Sequence, residues 1–354
     1  MVLRPLIKSS YLSLRSLVLT LLVRKPHNQK LAQPLGSLLV ISERRLGDVC
    51  LEIPVLRRFR AIHPEMFLAL IAPRTLHPLL QWSCAPDLLL DFDEKDRVRD
   101  RVWDAAIDLT GDYRLSSARI AASSRAFVRI GFEYGGRGRY FSAPLPLSAR
   151  EHMTEMYERP FVMLGLPPPG SNAADPLPLL PPTTTSRHAI GIHPGAHHET
   201  QRWPSHYYAE LIRMLHSAGN SCIVLGAPLE REIVQNIIKA SGGAAAQAVT
   251  PDVMSLASAI QQVDVLVCNN SGPLHLAGLL GVPTLSFMGP TVRDKWQPRW
   301  RNSMVLRRDQ LPCIGCNLSY CKIRTHACMV DITPETAFAA CTRFRSQLFQ
   351  GTFT

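Results

Sequence analysis

Chemistry in this chain concentrates at a few positions, and the first is Asp48, directly after Gly47 and at the head of a helical pattern. A carboxylate in that place can take the proton of a hydroxyl group as it attacks an electrophile. The positive end of the helix dipole should keep it ionised with a low pKa. A plain N-cap is the alternative reading of an isolated acid there. Glu43 is the other acid at the same strand end, and with His193 it is the next candidate base.

Three further loops carry groups suited to an anion. His193-Pro194-Gly195-Ala196-His197-His198-Glu199-Thr200-Gln201-Arg202-Trp203-Pro204 joins a glycine-bearing turn to Thr200 and Arg202. Backbone N–H groups and a guanidinium arranged in this way can hold phosphates. The adjacent His197 and His198 invite a metal, but neighbouring loop histidines seldom converge on one ion. Asn269-Asn270-Ser271-Gly272-Pro273-Leu274-His275-Leu276-Ala277-Gly278 follows a strand and opens a helix, with Ser271 and Gly272 at the N-terminus. Phe287-Met288-Gly289-Pro290-Thr291 follows the next strand and could wall in a base or ribose. Neither has P-loop spacing, and no G-x-G-x-x-G opens the first βα unit. The run Gly135-Gly136-Arg137-Gly138-Arg139 between apolar segments reads as a turn.

Cys313-x2-Cys316-x4-Cys321-x6-Cys328 is a spacing that suits tetrahedral zinc or iron. Reduced structural thiols and disulfides are the alternatives. Cys50, Cys84, Cys222, Cys268 and Cys341 lie in apolar or helical surroundings and read as reduced core residues of a cytosolic protein.

The elements that must position these groups alternate along the chain. Ser37–Ile41 is an apolar strand, and Val49, Ile53, Leu56 and Phe59 follow it at helical spacing. Met66–Ile71 is a second buried strand, and the pattern repeats through Asp87–Leu90 and Trp103–Leu109. Residues 166–185 are proline-rich and read as a linker. Alternation then restarts, with strands at Ala189–Ile192, Cys222–Leu225, Val263–Val267 and Thr284–Phe287. Helices are expected at Tyr207–His216 and Leu229–Ser241. This predicts an α/β protein with two halves, residues 36–165 and 186–335, binding ligands at the carboxyl ends of parallel strands. A C-terminal helix within 336–354 is expected to pack back on the first half. No internal sequence repeat is visible.

At 354 residues, 46% hydrophobic and 19% charged, the chain has the composition of a two-domain globular protein. Disordered, collagen-like and disulfide-scaffold classes are excluded. No apolar run approaches the length that spans a bilayer. The net charge of +11 is uneven. Arg4, Lys8, Arg15, Arg24, Lys25 and Lys30 face no acid within the first 42 residues. Set among leucines and valines, they make residues 1–35 a basic amphipathic leader suited to an anionic membrane surface. A signal peptide and a solvated tail are the alternatives, and no small-x-small cleavage site follows Val23.

Taken in order, Gly47-Asp48 with Pro54, His193-Pro194-Gly195-Ala196 with Arg202-Trp203-Pro204, Asn270-Ser271-Gly272-Pro273-Leu274-His275-Leu276-Ala277, and Gly289-Pro290-Thr291 resemble glycosyltransferase family 9. That is the ADP-heptose:lipopolysaccharide heptosyltransferase family. The likeness covers about residues 37–340. The segments Trp103–Phe132 and His152–Leu166 also resemble its acceptor-domain pattern. The resemblance implies the GT-B architecture, two Rossmann-like domains facing a central cleft, and inverting transfer without a metal. Asp48 then matches the general base. Gly195, Thr200, Gln201, Arg202, Glu230, Asn270, Ser271, Gly272, His275, Gly289 and Thr291 match the nucleotide-sugar side. Glu230 matches a position near the nucleotide ribose, and a charged first-turn helix residue is its other reading. Two departures stand out: Gln201 replaces the usual Lys of the Lys-Arg/His-Trp-Pro run, and Asn270 replaces the usual Asp.

The resulting expectation is a cytoplasmic enzyme, peripheral on the inner face of the inner membrane. Its donor would be ADP-heptose or a related nucleotide sugar, and its acceptor a lipopolysaccharide core or lipid-linked sugar. Arg114, Arg129, Arg137 and Arg139 would suit a phosphorylated acceptor. No cofactor is needed for transfer, and structural zinc or iron at Cys313, Cys316, Cys321 and Cys328 is the one addition. Loss of that metal should affect stability more than turnover. Two rivals are a GT-B nucleotide-sugar epimerase and a non-catalytic nucleic-acid binder. The second is weak, because residues 186–354 hold 15 basic and 10 acidic side chains and residues 43–185 balance at 18 each.

Overall fold

A computed structural model describes residues 3–24, 26, 34–148, 150–167 and 189–350. Most of the expected linker, together with Lys25 and Lys30 of the leader, lies outside the described residues. The chain divides into two compact units, residues 1–172 and 173–354.

Unit 1 holds six strands: β1 (Ser37–Ile41), β2 (Phe67–Ile71), β3 (Leu88–Leu90), β4 (Ala105–Asp108), β5 (Val128–Glu133) and β6 (Ala143–Pro146). All pair parallel in the order β3-β2-β1-β4-β5-β6. Unit 2 holds β7 (Ala189–His193), β8 (Ser221–Gly226), β9 (Ala246–Val249), β10 (Val265–Asn269), β11 (Thr284–Phe287) and β12 (Ser303–Leu306). Their order, β12-β11-β10-β7-β8-β9, repeats that of unit 1. In both sheets the chain order reverses beside the first strand, between β1 and β4 and between β7 and β10. Ligands of open parallel sheets bind outside the carboxyl ends at that point. The repeat absent from the sequence is therefore present in the topology.

The central strands are apolar because helices cover both faces. β1, β7 and β10 are buried along their whole length. The helix Leu46–Ile62 buries Val49, Ile53, Leu56 and Phe59, the positions its spacing selects. The helix Met153–Val162 packs on it, with Phe59 and Phe161 rings edge to face at 5.2 Å. In unit 2, Trp203 stacks on Phe287 at 4.2 Å, and Tyr208 meets both edge-on. The C-terminal helix Pro334–Gln350 supplies Ala337, Cys341 and Phe344 to this same core.

The leader forms a helix, Leu3–Leu22, whose Leu12 and Leu19 are buried. It docks on the turn at residues 135–139, where Gly135 and Gly136 adopt positive φ. A Cβ on Gly136 would strike Leu19 and the Ser16 backbone, so glycine permits the close approach. Arg15 donates to Gly135 O from Nε at 2.8 Å, and Arg139 donates to Val23 O from Nη2 at 2.8 Å. Among the described residues no helix is long and apolar enough to cross a membrane.

Candidate active site

In unit 1 the chain leaves β1 through Ser42 and Glu43 and enters the helix Leu46–Ile62. Arg45, not Asp48, is the N-cap, so the plain capping role does not apply. Asp48 lies in the first turn, half-buried, and its Oδ1 accepts a hydrogen bond of 2.8 Å from the hydroxyl of Tyr157. Tyr157 comes from the helix Met153–Val162 and is fully buried.

Two more carboxyls share this corner. Glu43 accepts from Gly111 N at 2.9 Å, which ties the end of β1 to the loop after β4. Glu52 is fully buried; it accepts from Glu43 N at 2.9 Å and from the Ser42 hydroxyl. Burial pushes the Asp48 carboxyl above its usual range, while the Tyr157 hydrogen bond and the Arg45 charge oppose the rise. The low pKa expected from the helix terminus is thus overturned by desolvation. Glu43 is pushed well up by burial and then by the Asp48 charge. It is therefore an electrostatic neighbour of Asp48. Burial lifts Glu52 to about 8, against hydrogen bonds from Ser42 and Glu43 that lower it. A half-buried acid with a raised pKa is a stronger base than one at an exposed helix end.

The four arginines expected to meet the acceptor part company. Arg137 is fully buried, pairing with Asp108 and donating to Thr110 O and Asp112 O, so its guanidinium is shut off from solvent. Arg139 caps the leader helix through Thr20 O and Val23 O. Arg129 donates to Ala122 O at 3.0 Å. Arg114 remains exposed, with Asp112 at 3.3 Å.

In unit 2 the expected nucleotide-sugar residues gather at the carboxyl ends of β7, β8, β10 and β11. Asn269, which sequence reasoning passed over, organises them. Its Nδ2 donates to Pro194 O at 2.7 Å, and its Oδ1 accepts from Trp203 N at 2.9 Å. One side chain therefore holds both ends of the 194–203 loop. Glu230 reaches under the start of this loop, where a Cβ on Gly195 would overlap its Oε1. Its Oε2 lies 3.5 Å from His193 Nε2 and accepts from Ala227 N at 3.0 Å. Burial lowers the His193 pKa, against the Glu230 charge, which raises it. Asn270 donates to Trp296 O at 3.2 Å. Ser271 is the N-cap of the helix Gly272–Leu279, on which His275 is buried between Trp296 and Trp300. Arg202 is exposed and donates from Nε to Ala196 O at 3.0 Å. Gln201 donates to Thr291 Oγ1 at 3.4 Å.

Thr200 turns away from that surface and donates to Leu318 O at 2.7 Å, inside the cysteine-bearing segment. His326 Nε2 lies 2.7 Å from Thr200 O, and a Cβ on Gly289 would meet Met329 and Cys328. The cysteine segment thus braces both the 199–201 and the 289–291 turns. Cys313, Cys316, Cys321 and Cys328 line one cavity, all as free thiols. Burial and the three neighbouring sulfurs push Cys328 up to about 11. Among the described residues no group of three Cys, His, Asp or Glu side chains stands in a metal-holding arrangement. The sulfurs supply a suitable donor set, but not a closed site.

Comparison with known proteins places this geometry. The family model for glycosyltransferase family 9 (heptosyltransferase) matches residues 94–325. The chain is 27% identical over 152 residues to lipooligosaccharide heptosyltransferase 2 of Campylobacter jejuni, covering 41% of this chain and 47% of that protein. It thus spans about half the length of that relative. It is 25% identical over 355 residues to lipopolysaccharide heptosyltransferase 2 of Salmonella typhimurium, covering 84% and 95% of the two chains. The solved structure of Escherichia coli ADP-heptose lps heptosyltransferase II shares the fold with a TM-score of 0.71 at 20% identity, covering 88% of this chain and 99% of that one.

Proposed function

The chain belongs to glycosyltransferase family 9, and from that premise we propose that it transfers a heptose from ADP-heptose to a lipopolysaccharide-core or lipid-linked acceptor. The observation that carries the reading is Asp48, a half-buried acid of raised pKa at the reversal point of the first sheet. The acceptor hydroxyl attacks the anomeric carbon from the face opposite the diphosphate. As the new carbon–oxygen bond forms, the bond to the diphosphate breaks and its electron pair leaves on phosphate oxygen. The acceptor proton passes to Asp48, and the anomeric configuration inverts.

Unit 2 answers the charge that develops on the leaving group. The Arg202 guanidinium and the N–H groups at the start of Gly272–Leu279 are the donors for the diphosphate. Glu230 offers its remaining carboxylate capacity to ribose hydroxyls. The base and the diphosphate donors come from this chain's own side chains and backbone.

Two accessory features fit the same reading. The leader helix exposes Tyr11, Leu14, Leu17, Val18, Leu21 and Leu22 on the side away from its docked leucines. That face would rest on the anionic inner leaflet where a lipid-linked acceptor is found. The four thiols that line one cavity offer the donor chemistry for one zinc or iron ion, which they would have to close around in order to cross-link the segment bracing the donor loops. Elemental analysis of protein purified under reducing conditions tests the ion: about one equivalent supports it, and none removes it.

The transfer itself is tested by incubating the protein with ADP-heptose, with and without a heptose-deficient core acceptor. Acceptor-dependent product with inverted anomeric configuration by NMR supports the proposal. Conversion of donor alone to an epimer would favour the epimerase reading.

A further inference from the structure

We propose that Tyr157 is the positioning residue of the proton acceptor, holding one oxygen of Asp48 so that the other faces the acceptor hydroxyl. The inference rests on the reading of Asp48 as the base and assigns a second residue to that step.

A phenol buried this completely needs a partner for its hydroxyl. Tyr157 finds it across the helix pair Leu46–Ile62 and Met153–Val162, at Asp48 Oδ1, 2.8 Å away. Burial and the surrounding carboxylates push its own pKa well up, so it stays a donor. The groups around Asp48 explain why a donor is needed. Glu43 approaches from the strand end, Glu52 and Cys50 belong to the same helix, and the Arg45 charge at its N-cap opposes the rise in the Asp48 pKa. Removal from water favours a proton on Asp48, which would leave nothing to accept one from the substrate. The Tyr157 hydrogen bond opposes that loss and fixes the carboxylate plane.

During transfer the acceptor O–H proton moves to Asp48 Oδ2. The acceptor oxygen bonds the anomeric carbon, and the diphosphate leaves with its electron pair. Tyr157 keeps its proton throughout. Its contribution is to orientation and to the fraction of Asp48 that is ionised, so it affects kcat and the acid limb of the pH profile rather than substrate binding.

The test is a double-mutant cycle on the full chain, with transfer measured across pH. Tyr157→Phe should lower kcat about ten- to a hundredfold with both KM values unchanged, the range expected for a lost bond to a charged group. Its acid limb should move to higher pH. In an Asp48→Asn background the same change should cost almost nothing further. Incorporation of 3-fluorotyrosine at 157, a nearly isosteric and stronger donor, should move the acid limb to lower pH even where Tyr157→Phe folds poorly. An unmoved limb in the fluorinated protein, or full kcat in Tyr157→Phe while Asp48→Asn is crippled, overturns the inference. Full activity in Asp48→Asn instead removes the base reading on which it rests.

Discussion

Arg137 and Asp108 form an ion pair with both side chains wholly shut off from water. The guanidinium also donates to Thr110 O and Asp112 O. It thereby fixes the loop whose Gly111 N–H holds Glu43. Next to Arg137 in the chain, Gly136 and Arg139 receive the leader helix. One buried arginine thus links the docking turn to the loop beside the candidate base.

Removing that arginine leaves a buried carboxylate uncompensated. Arg137→Met should destabilise the protein by about 3–5 kcal/mol. Urea unfolding followed by tryptophan fluorescence measures the change. A loss below 1 kcal/mol would mean that Asp108 takes up a proton or finds another partner.

Glu52 makes stability depend on pH in a defined direction. Its folded pKa of about 8 lies above the ordinary 4.5, so the folded state keeps a proton that the unfolded chain releases. The advantage is complete below pH 4.5, falls as pH rises, and is gone above about 8. Glu52→Gln keeps the hydrogen bond from Glu43 N and removes the titration. It should gain on the parent protein between pH 5 and pH 9, by on the order of a few kcal/mol. Parallel stability curves for the two proteins over that interval would contradict the assignment.

Most strands that sequence patterning located, such as Ser37–Ile41 and Thr284–Phe287, lie in sheet interiors and are buried along their whole length. Of the four it missed, Val128–Glu133 lies inside the first sheet and the other three are edges. Ala143–Pro146, Ala246–Val249 and Ser303–Leu306 are partly exposed, and the first carries two prolines. An edge strand buries one side only and leaves a weak signal. The site divides in the same way. Asp48 and the donor loops are local motifs at strand ends. Tyr157 meets Asp48 from 109 residues away, and no periodicity carries such a contact. Asn269 was legible only as a second asparagine at a strand end, without its two loop partners. The arginines were read from charge alone, which cannot separate Arg137 in the core from Arg114 at the surface.

Asn269 ties both ends of the 194–203 loop, so Asn269→Ala should loosen the donor site without touching the base. We expect weaker ADP binding by calorimetry, about tenfold or more, the cost of leaving buried loop groups unpaired. Unchanged ADP affinity would show that the loop holds its shape through Trp203 packing alone.

Arg202 is the exposed cation of that loop. Arg202→Ala should weaken ADP-heptose binding by roughly 1.5–3 kcal/mol, the range for a hydrogen bond to a charged group. Gln201→Lys should tighten it by restoring a second cation beside the first. Neither variant should change acceptor KM. Calorimetry with no change in either protein would mean that the loop does not face the diphosphate.

The central claim is that Asp48 takes the acceptor proton. Asp48→Asn preserves shape and an oxygen able to accept from Tyr157 while abolishing basicity. The direct measurement is the single-turnover transfer rate of this variant at saturating ADP-heptose and acceptor, with donor Kd determined on the same preparation. The rate should fall by about 10²–10⁴-fold with donor Kd unchanged. A near-normal rate would contradict that claim and shift the proton to Glu43 or His193.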